Sequence, residues 1–118
     1  MNEAVVIFDE EDRVARALAR ELAGLGVQPI IVTDLSGVRA ALEAHAPRLF
    51  IADLWSGERS GLAALEMARR DFPAVGRCLL TGSIHGLDSH QLERIRPCSV
   101  LPKPWTVAEL TVLLSRAS

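Results

Sequence analysis

The sequence predicts a single α/β domain of the open, doubly wound type, in which helices cover both faces of a five-stranded parallel sheet. The chain has 118 residues, the usual size of one domain, so one unit over residues 1–118 is expected. Five short apolar runs are continuous rather than alternating, and the gaps between them are too long for hairpins. This pattern is typical of strands covered on both faces. The runs are residues 4–8, 29–32, 49–52, 77–80 and 99–101.

The gaps between the runs are expected to form helices. In the first gap, apolar residues recur at helical spacing at Val14, Leu18, Leu22 and Leu25. Ser36 is expected to cap the second helix, and Ser60 to begin the third. A fourth, short helix is expected over residues 88–95. Thr106 and Glu109 have capping-box spacing and predict the start of the last helix. The expected apolar face of that helix consists of Val107, Leu110 and Leu114.

Composition and charge exclude several classes of protein. Lys and Arg total 13 against 15 Asp and Glu, and no basic stripe is present, so no direct contact with nucleic acid is expected. The apolar runs are far shorter than the ~20 residues of a membrane span, so we expect a cytoplasmic protein without membrane contact. Cys78 and Cys98 lack the spacing and neighbouring histidines of a zinc site, and both are interpreted as buried structural residues.

Polar residues follow the predicted strands where an open parallel sheet binds its ligands, beyond the carboxyl ends. They are Asp9 and Glu10 after the first strand, Asp53 after the third, Thr81 after the fourth and Lys103 after the fifth. If the first and third strands are neighbours, about 4.8 Å apart, their three carboxylates crowd together. Crowding would raise at least one pKa unless a cation is bound, and an oxygen-only donor set suits Mg²⁺.

Simpler interpretations exist for each of these residues alone. Acidic residues after a strand often cap the next helix, and this is the favoured interpretation of Asp9 by itself. A Thr-Gly pair, here Thr81 and Gly82, usually marks a turn. A shared functional site is favoured because all of these groups fall at one edge of the same predicted sheet.

Over essentially its whole length, the sequence resembles the receiver domain of two-component response regulators. In that family an acidic pair ends the first strand, a phosphoacceptor Asp ends the third, Thr or Ser ends the fourth, and Lys-Pro follows the fifth. The matching residues are Asp9 with Glu10, Asp53, Thr81, and Lys103 with Pro104. The successive intervals are 44 residues from Asp9 to Asp53, 28 from Asp53 to Thr81 and 22 from Thr81 to Lys103, similar to family spacing. Gly61 also stands where the family commonly has glycine. The resemblance implies a flavodoxin-like sheet with strand order 2-1-3-4-5.

The resemblance also implies a function. Asp53 would accept a phosphoryl group from a sensor histidine kinase or a histidine phosphotransfer protein, and Thr81 and Lys103 would bind the phosphoryl oxygens. The residues implied as Mg²⁺ ligands are Asp9, Glu10 through water, Asp53, and Trp55 through its backbone carbonyl. Such a domain signals by contact with a downstream protein, is compatible with a homodimer, and is not an enzyme that turns over a small molecule.

Three departures from the family pattern leave an alternative open. Ser56 and Gly57 replace the usual hydrophobic residue and proline, and Val100 stands where many receivers have a Tyr or Phe that reports phosphorylation. The alternative is a pseudo-receiver, an interaction module without phosphorylation. A nucleotide- or flavin-binding protein is disfavoured, because the acidic loop after the first strand would repel phosphate.

Overall fold

The computed structural model of the protein describes residues 3–10, 13–54, 60–82 and 87–117. Strands and helices alternate along the chain, as predicted. The elements are β1 (Ala4–Phe8), α1 (Arg13–Gly24), β2 (Gln28–Val32), α2 (Ser36–His45), β3 (Leu49–Leu54), α3 (Ser60–Asp71), β4 (Gly76–Thr81), α4 (Ser89–Ile95), β5 (Ser99–Pro102) and α5 (Val107–Arg116). None of the described helices has the length and apolar character needed to cross a membrane.

The five strands form one parallel sheet in the order β2-β1-β3-β4-β5, which confirms the predicted fold class and strand order. Every residue of β1 and β3 is buried, as the continuous apolar runs predicted for strands covered on both faces. The chain reverses its direction of travel across the sheet between β1 and β3. A crevice therefore opens beyond the carboxyl ends of these two strands.

Two hydrophobic clusters cover the two faces of the sheet. One contains Ile7 with residues of α1 and α5, and the other contains Phe8 with residues of α2, α3 and α4. Neighbouring residues of a strand point to opposite faces, so β1 contributes to both clusters. Cys78 is fully buried in the first cluster, and the partly buried Cys98 packs against the second. Burial raises the pKa of the Cys98 thiol to about 11 and raises the pKa of Cys78 as well.

An aspartate side chain accepts a backbone N–H in the first turn of both the second and the fourth helix. The prediction that Ser36 caps α2 is wrong, because Ser36 is already the first helical residue. Leu35 stands at the cap position, and its side chain makes no capping hydrogen bond. Asp34, one residue earlier, serves the first turn instead, since its Oδ1 accepts hydrogen bonds from the Ser36 hydroxyl at 2.7 Å and the Gly37 N–H at 2.8 Å. At α4, the Asp88 carboxylate accepts from the Gln91 N–H and the Gln91 side chain accepts from the Asp88 N–H. The short α4 therefore has a complete capping box.

The predicted capping box of α5 is confirmed. Thr106 Oγ1 accepts from the Glu109 N–H at 3.1 Å, and Glu109 Oε1 accepts from the Thr106 N–H at 2.8 Å. The predicted apolar face is partly wrong, since Val107 is 57% exposed. Helical side chains lean toward the amino terminus, so a side chain in the first turn leans past the helix end. The buried face consists of Leu110, Leu113 and Leu114.

The expected apolar face of α1 is also shorter than predicted. Leu18 and Leu22 are fully buried, whereas Leu25 is 39% exposed. Because α1 ends at Gly24, Leu25 lies in the following turn and does not continue the helical face. Gly26 has a φ of +90° in this turn, a conformation that favours glycine.

Candidate functional site

The carboxyl edge of the sheet brings together four of the residues predicted from the sequence. Phe8 pairs with Ala52 in the β1–β3 register, so Asp9 and Asp53 follow at the same level of neighbouring strands. Thr81 ends β4, the strand on the other side of β3. Asp9, Asp53 and Thr81 are only 2%, 6% and 5% exposed, respectively. These polar groups are therefore built into the protein interior at the mouth of the crevice.

Asp53 lies within β3 rather than after it. The strand runs two residues beyond the predicted end, and Asp53 pairs with Leu80 in the β3–β4 register. Leu54 follows it and pairs with Thr81. The backbone on both sides of the carboxylate is therefore fixed by the parallel ladder, which orients the Asp53 side chain.

Lys103 forms an ion pair with Asp53. Its Nζ lies 2.6 Å from Oδ1 of Asp53, and the two side chains are 20% and 3% exposed. The backbone N–H of Lys103 donates to the carbonyl oxygen of Thr81 at 3.0 Å, which ties the end of β5 to the end of β4. The following Lys103–Pro104 peptide bond is cis. The ammonium group is thus held against the carboxylate by the strand ends themselves.

Opposing influences act on the protonation of Asp53. Burial raises the pKa of this carboxyl above its ordinary value of 3.8 and is the largest influence. The hydrogen bond and positive charge of Lys103 oppose the rise in pKa, and the neighbouring Asp9 carboxyl adds to it through its charge and a hydrogen bond. The rise predicted from the crowding of carboxylates is present, although burial contributes more than Asp9.

Asp9 also caps the first helix. Its Oδ2 accepts a hydrogen bond from the Ala15 N–H at 3.0 Å. The contact satisfies one of the backbone N–H groups that a helix leaves unpaired in its first turn. The capping interpretation of Asp9 is therefore confirmed, and the same contact fixes its carboxylate beside Asp53. The partner, Ala15, was not predicted from the sequence.

Glu10 and Trp55 are the other two predicted metal ligands. Glu10 is exposed in the turn after β1. Among the described residues, no group of three or more His, Cys, Asp or Glu side chains is placed to hold a metal ion. Trp55 lies outside the described residues. The buried pair Asp9 and Asp53 nevertheless fits Mg²⁺ chemically, because it offers carboxylate oxygens without nitrogen or sulfur donors.

Solved structures of receiver domains resemble the chain over essentially its full length. A CheY-like response regulator receiver domain from Methylobacillus flagellatus is 21% identical, with 100% of both chains covered and a TM-score of 0.83. The signal receiver domain of an HD domain-containing protein from Pseudomonas fluorescens Pf-5 is 21% identical, with 99% of this chain and 94% of that chain covered and a TM-score of 0.81.

A longer protein shares the same fold in one part. NtrX from Brucella abortus is 25% identical, with a TM-score of 0.81, and the match covers 99% of this chain but 27% of NtrX. No family model matches the sequence, and no curated protein matches it significantly. The resemblance predicted from the sequence is confirmed at the level of the fold: the chain has the fold of a response regulator receiver domain.

Proposed function

We propose that the chain is a cytoplasmic phosphoacceptor of two-component signalling. Asp53 would take a phosphoryl group from a sensor histidine kinase or a histidine phosphotransfer protein. The observation that supports this most directly is the buried Asp53 carboxylate, 2.6 Å from Lys103 Nζ, at the carboxyl edge of a receiver-like sheet. A charged pair kept at this edge, beside Asp9, is suited to phosphoryl chemistry and adds nothing to a hydrophobic core.

The proposed reaction is a transfer between two covalent carriers. One oxygen of the ionised Asp53 carboxylate attacks the phosphorus of a phosphohistidine. The phosphorus–nitrogen bond breaks, its electron pair returns to the imidazole, and the imidazole takes up a proton. The product is an acyl phosphate on Asp53. Since the attacking group must be ionised, the ammonium of Lys103 assists by opposing the rise in the pKa of Asp53.

The same residues would stabilise the charge on the transferred group. When negative charge moves from the Asp53 carboxylate to a phosphoryl oxygen, the ammonium of Lys103 can move with it. The backbone of Lys103 stays anchored to Thr81, which keeps the ammonium close to both groups. We assign the Thr81 hydroxyl to a second phosphoryl oxygen. The backbones that carry these groups are tied together before the reaction, so only a small movement of the side chains is needed as charge moves.

Asp9 and Asp53 are the proposed carboxylate ligands of Mg²⁺, with the Trp55 carbonyl and, through water, Glu10 as further donors. When bound, Mg²⁺ would neutralise negative charge on the transferring phosphoryl oxygens. The contribution of Asp9 begins earlier, because its hydrogen bond from Ala15 holds the carboxylate in place. This anchoring lowers the entropic cost of assembling the site.

The phosphorylated domain would signal through contact with a downstream protein rather than by turning over a small molecule. Val100 on β5 is 42% exposed and has no ring that could rotate. Val100 therefore cannot report phosphorylation by the rotation of an aromatic ring, as the Tyr or Phe at this position does in many receivers. A pseudo-receiver role is disfavoured, because an interaction module has no use for a buried Asp53–Lys103 pair beside a second carboxylate.

The test is incubation with acetyl phosphate and Mg²⁺, followed by intact mass measurement. The native chain should gain one phosphoryl group and the Asp53→Asn variant none. Asp71→Asn is the control, since Asp71 lies on α3 and pairs with Arg70 away from the site. It should gain the group as the native chain does. A folded native chain that gains nothing, from this donor or from a phosphorylated histidine kinase, would support the pseudo-receiver.

A further inference from the structure

A second candidate site lies at the opposite, amino-terminal edge of the sheet. A cavity of about 370 Å³ opens there between the start of β4, the chain entering β5 and the end of α5. Its polar lining includes Arg77, Ser99 and Arg116. Its volume lies in the range of small-molecule pockets in proteins. Arg77 begins the predicted apolar run 77–80, and no role was predicted for it.

Arg77 is a buried cation that has no carboxylate partner within the described part of the chain. The residue is only 8% exposed. Its guanidinium donates to two neutral backbone carbonyls, from Nη1 to Val75 at 3.5 Å and from Nη2 to Pro97 at 3.1 Å. Its Nε is buried and has no hydrogen-bond partner among the described residues. A buried charge left in this condition is costly unless an ion of opposite sign binds it.

The described residues around Arg77 do not provide that ion. Within the described ranges, no Asp or Glu lines the cavity, and the second charged residue there is another cation, Arg116. Arg48 lies just before β3 at the same edge and shows the contrast. Its Nε is likewise buried without a hydrogen-bond partner among the described residues, but its guanidinium is paired with the Glu3 carboxylate at 2.9 Å. One arginine at this end of the sheet is thus neutralised by the chain, while the cavity keeps two positive charges.

We propose that this cavity binds a small organic phosphate. Two guanidinium groups match the charge of about −1.5 to −2 that a phosphate monoester carries at neutral pH. Guanidinium forks also fit the geometry of phosphate oxygens, and the Ser99 hydroxyl can donate a further hydrogen bond. The remaining walls, which include Leu49, Val75 and Leu113, are apolar and suit an organic substituent.

This site is separate from the phosphoacceptor edge and goes beyond the proposed function. Arg77 lies near the start of β4 and Thr81 at its end. Four residues of parallel strand span about 13 Å at 3.3 Å per residue. Binding in the cavity requires neither a phosphodonor nor ionised Asp53, so the proposal can fail or succeed independently of the phosphoryl-transfer chemistry.

The test is a titration of the Asp53→Asn chain with inorganic phosphate and with phenyl phosphate, followed by amide NMR in the absence of Mg²⁺. Sodium acetate at equal ionic strength is the comparison. Both phosphates should shift the amide signals of Gly76, Ser99 and Ala117 and leave that of Thr81 in place. Phenyl phosphate should bind more tightly than inorganic phosphate, because the apolar walls cover its ring.

Variants then identify the groups that bind. Arg116→Gln removes an exposed charge without disturbing the core and should weaken phenyl phosphate binding about tenfold, since charged hydrogen bonds are lost. Arg20→Gln, an equal change on exposed α1, should have no effect. Arg77→Met should abolish binding while the chain stays folded. Equal effects of the Arg116 and Arg20 variants, shifts centred on Thr81, or acetate binding as tight as phosphate binding would overturn the proposal.

An additional outcome separates the two sources of phosphate. If inorganic phosphate binds at Gly76 and Ser99 but phenyl phosphate does not, the assignment to an organic phosphate is overturned in favour of the free ion. Tighter binding of phenyl phosphate, lost together with the charge of Arg116, supports it.

Discussion

The carbonyl oxygen of Asp53 occupies the space that a side chain at position 61 would need. A Cβ atom built on Gly61 would lie 2.8 Å from that oxygen and 3.5 Å from the carbonyl carbon. Gly61 is the second residue of α3, and it allows the helix to pack directly against β3 beside the candidate phosphoacceptor. The glycine eight residues after Asp53 therefore has a steric reason, since any larger residue must displace the backbone of the site.

Gly61→Ala should destabilise the domain by about 1–3 kcal/mol, the usual cost of overpacking a filled region. It should also slow phosphorylation, because the displaced backbone carries Asp53. Gly24→Ala is the matched control, since a Cβ at Gly24 would meet nothing within 4 Å. Urea unfolding measures both variants. Equal stabilities for the two would show that α3 moves away without cost.

Asp53→Asn should stabilise the domain at neutral pH by about 1 kcal/mol, in the range of ordinary single substitutions. Burial raises the pKa of Asp53 in the folded state above 3.8, so the folded protein keeps this proton to higher pH than the unfolded chain does. The stability contributed by Asp53 therefore falls as the pH rises from 3.8 through the folded-state pKa. The difference in the free energy of unfolding between Asp53→Asn and the native chain should therefore shrink as the pH is lowered toward 3.8.

Asp71→Asn should show the opposite sign when the thermal unfolding of both variants and the native chain is followed over the same pH range. The hydrogen bond from Arg70, followed by that from Arg39, lowers the pKa of Asp71 to about 2. Asp71 therefore stabilises the folded state above pH 3.8, and this stabilisation is lost as the pH falls toward 2. The loss in the variant should be small, because the pair is exposed. A stabilised Asp71→Asn or a destabilised Asp53→Asn at pH 7 would contradict these directions.

Mg²⁺ should raise the melting temperature of the native chain, because a ligand that binds only the folded state stabilises it. Asp9→Asn should remove this increase and keep most of the stability without metal, since an asparagine oxygen can still accept from the Ala15 N–H. Asp9→Ala should lose the helix cap as well, at a further cost of about 1 kcal/mol. An undiminished effect of Mg²⁺ on Asp9→Asn would exclude Asp9 as a ligand.

Lys103→Met should destabilise the domain by about 1–3 kcal/mol, because it leaves the buried Asp53 carboxylate without its charged partner. The loss should be much smaller when Asp53→Asn is already present. A double-mutant cycle in urea at pH 7 measures this coupling. Additive effects would show that the ion pair contributes nothing to the folded state.

Much of the fold was predictable because apolar runs and capping residues act locally. The β1 run was predicted at its observed bounds, since both ends are marked by polar residues. β3 was predicted too short because its apolar run stops at Asp53, whereas ladder hydrogen bonds use the backbone and continue past a charged side chain. At α2, Asp34 and Ser36 are both good capping residues, and only the backbone geometry distinguishes them.

The site was predictable as a set of strand ends and less so as a set of contacts. Because parallel strands end at one edge of the sheet, the strand pattern alone predicted a shared site for Asp9, Asp53, Thr81 and Lys103. The exposure of Glu10 depends on the turn after β1, which no sequence pattern specified. The buried Arg77 was overlooked because a single charge at the start of an apolar run does not interrupt the strand pattern.

The proposal that Asp53 carries the phosphoryl group is tested by borohydride trapping followed by peptide mass spectrometry. Borohydride reduces an acyl phosphate on aspartate to homoserine. After treatment with acetyl phosphate and Mg²⁺, we expect homoserine at position 53 and at no other aspartate. Homoserine at another aspartate, or an unreduced Asp53 in a chain that has gained a phosphoryl group, would contradict the claim.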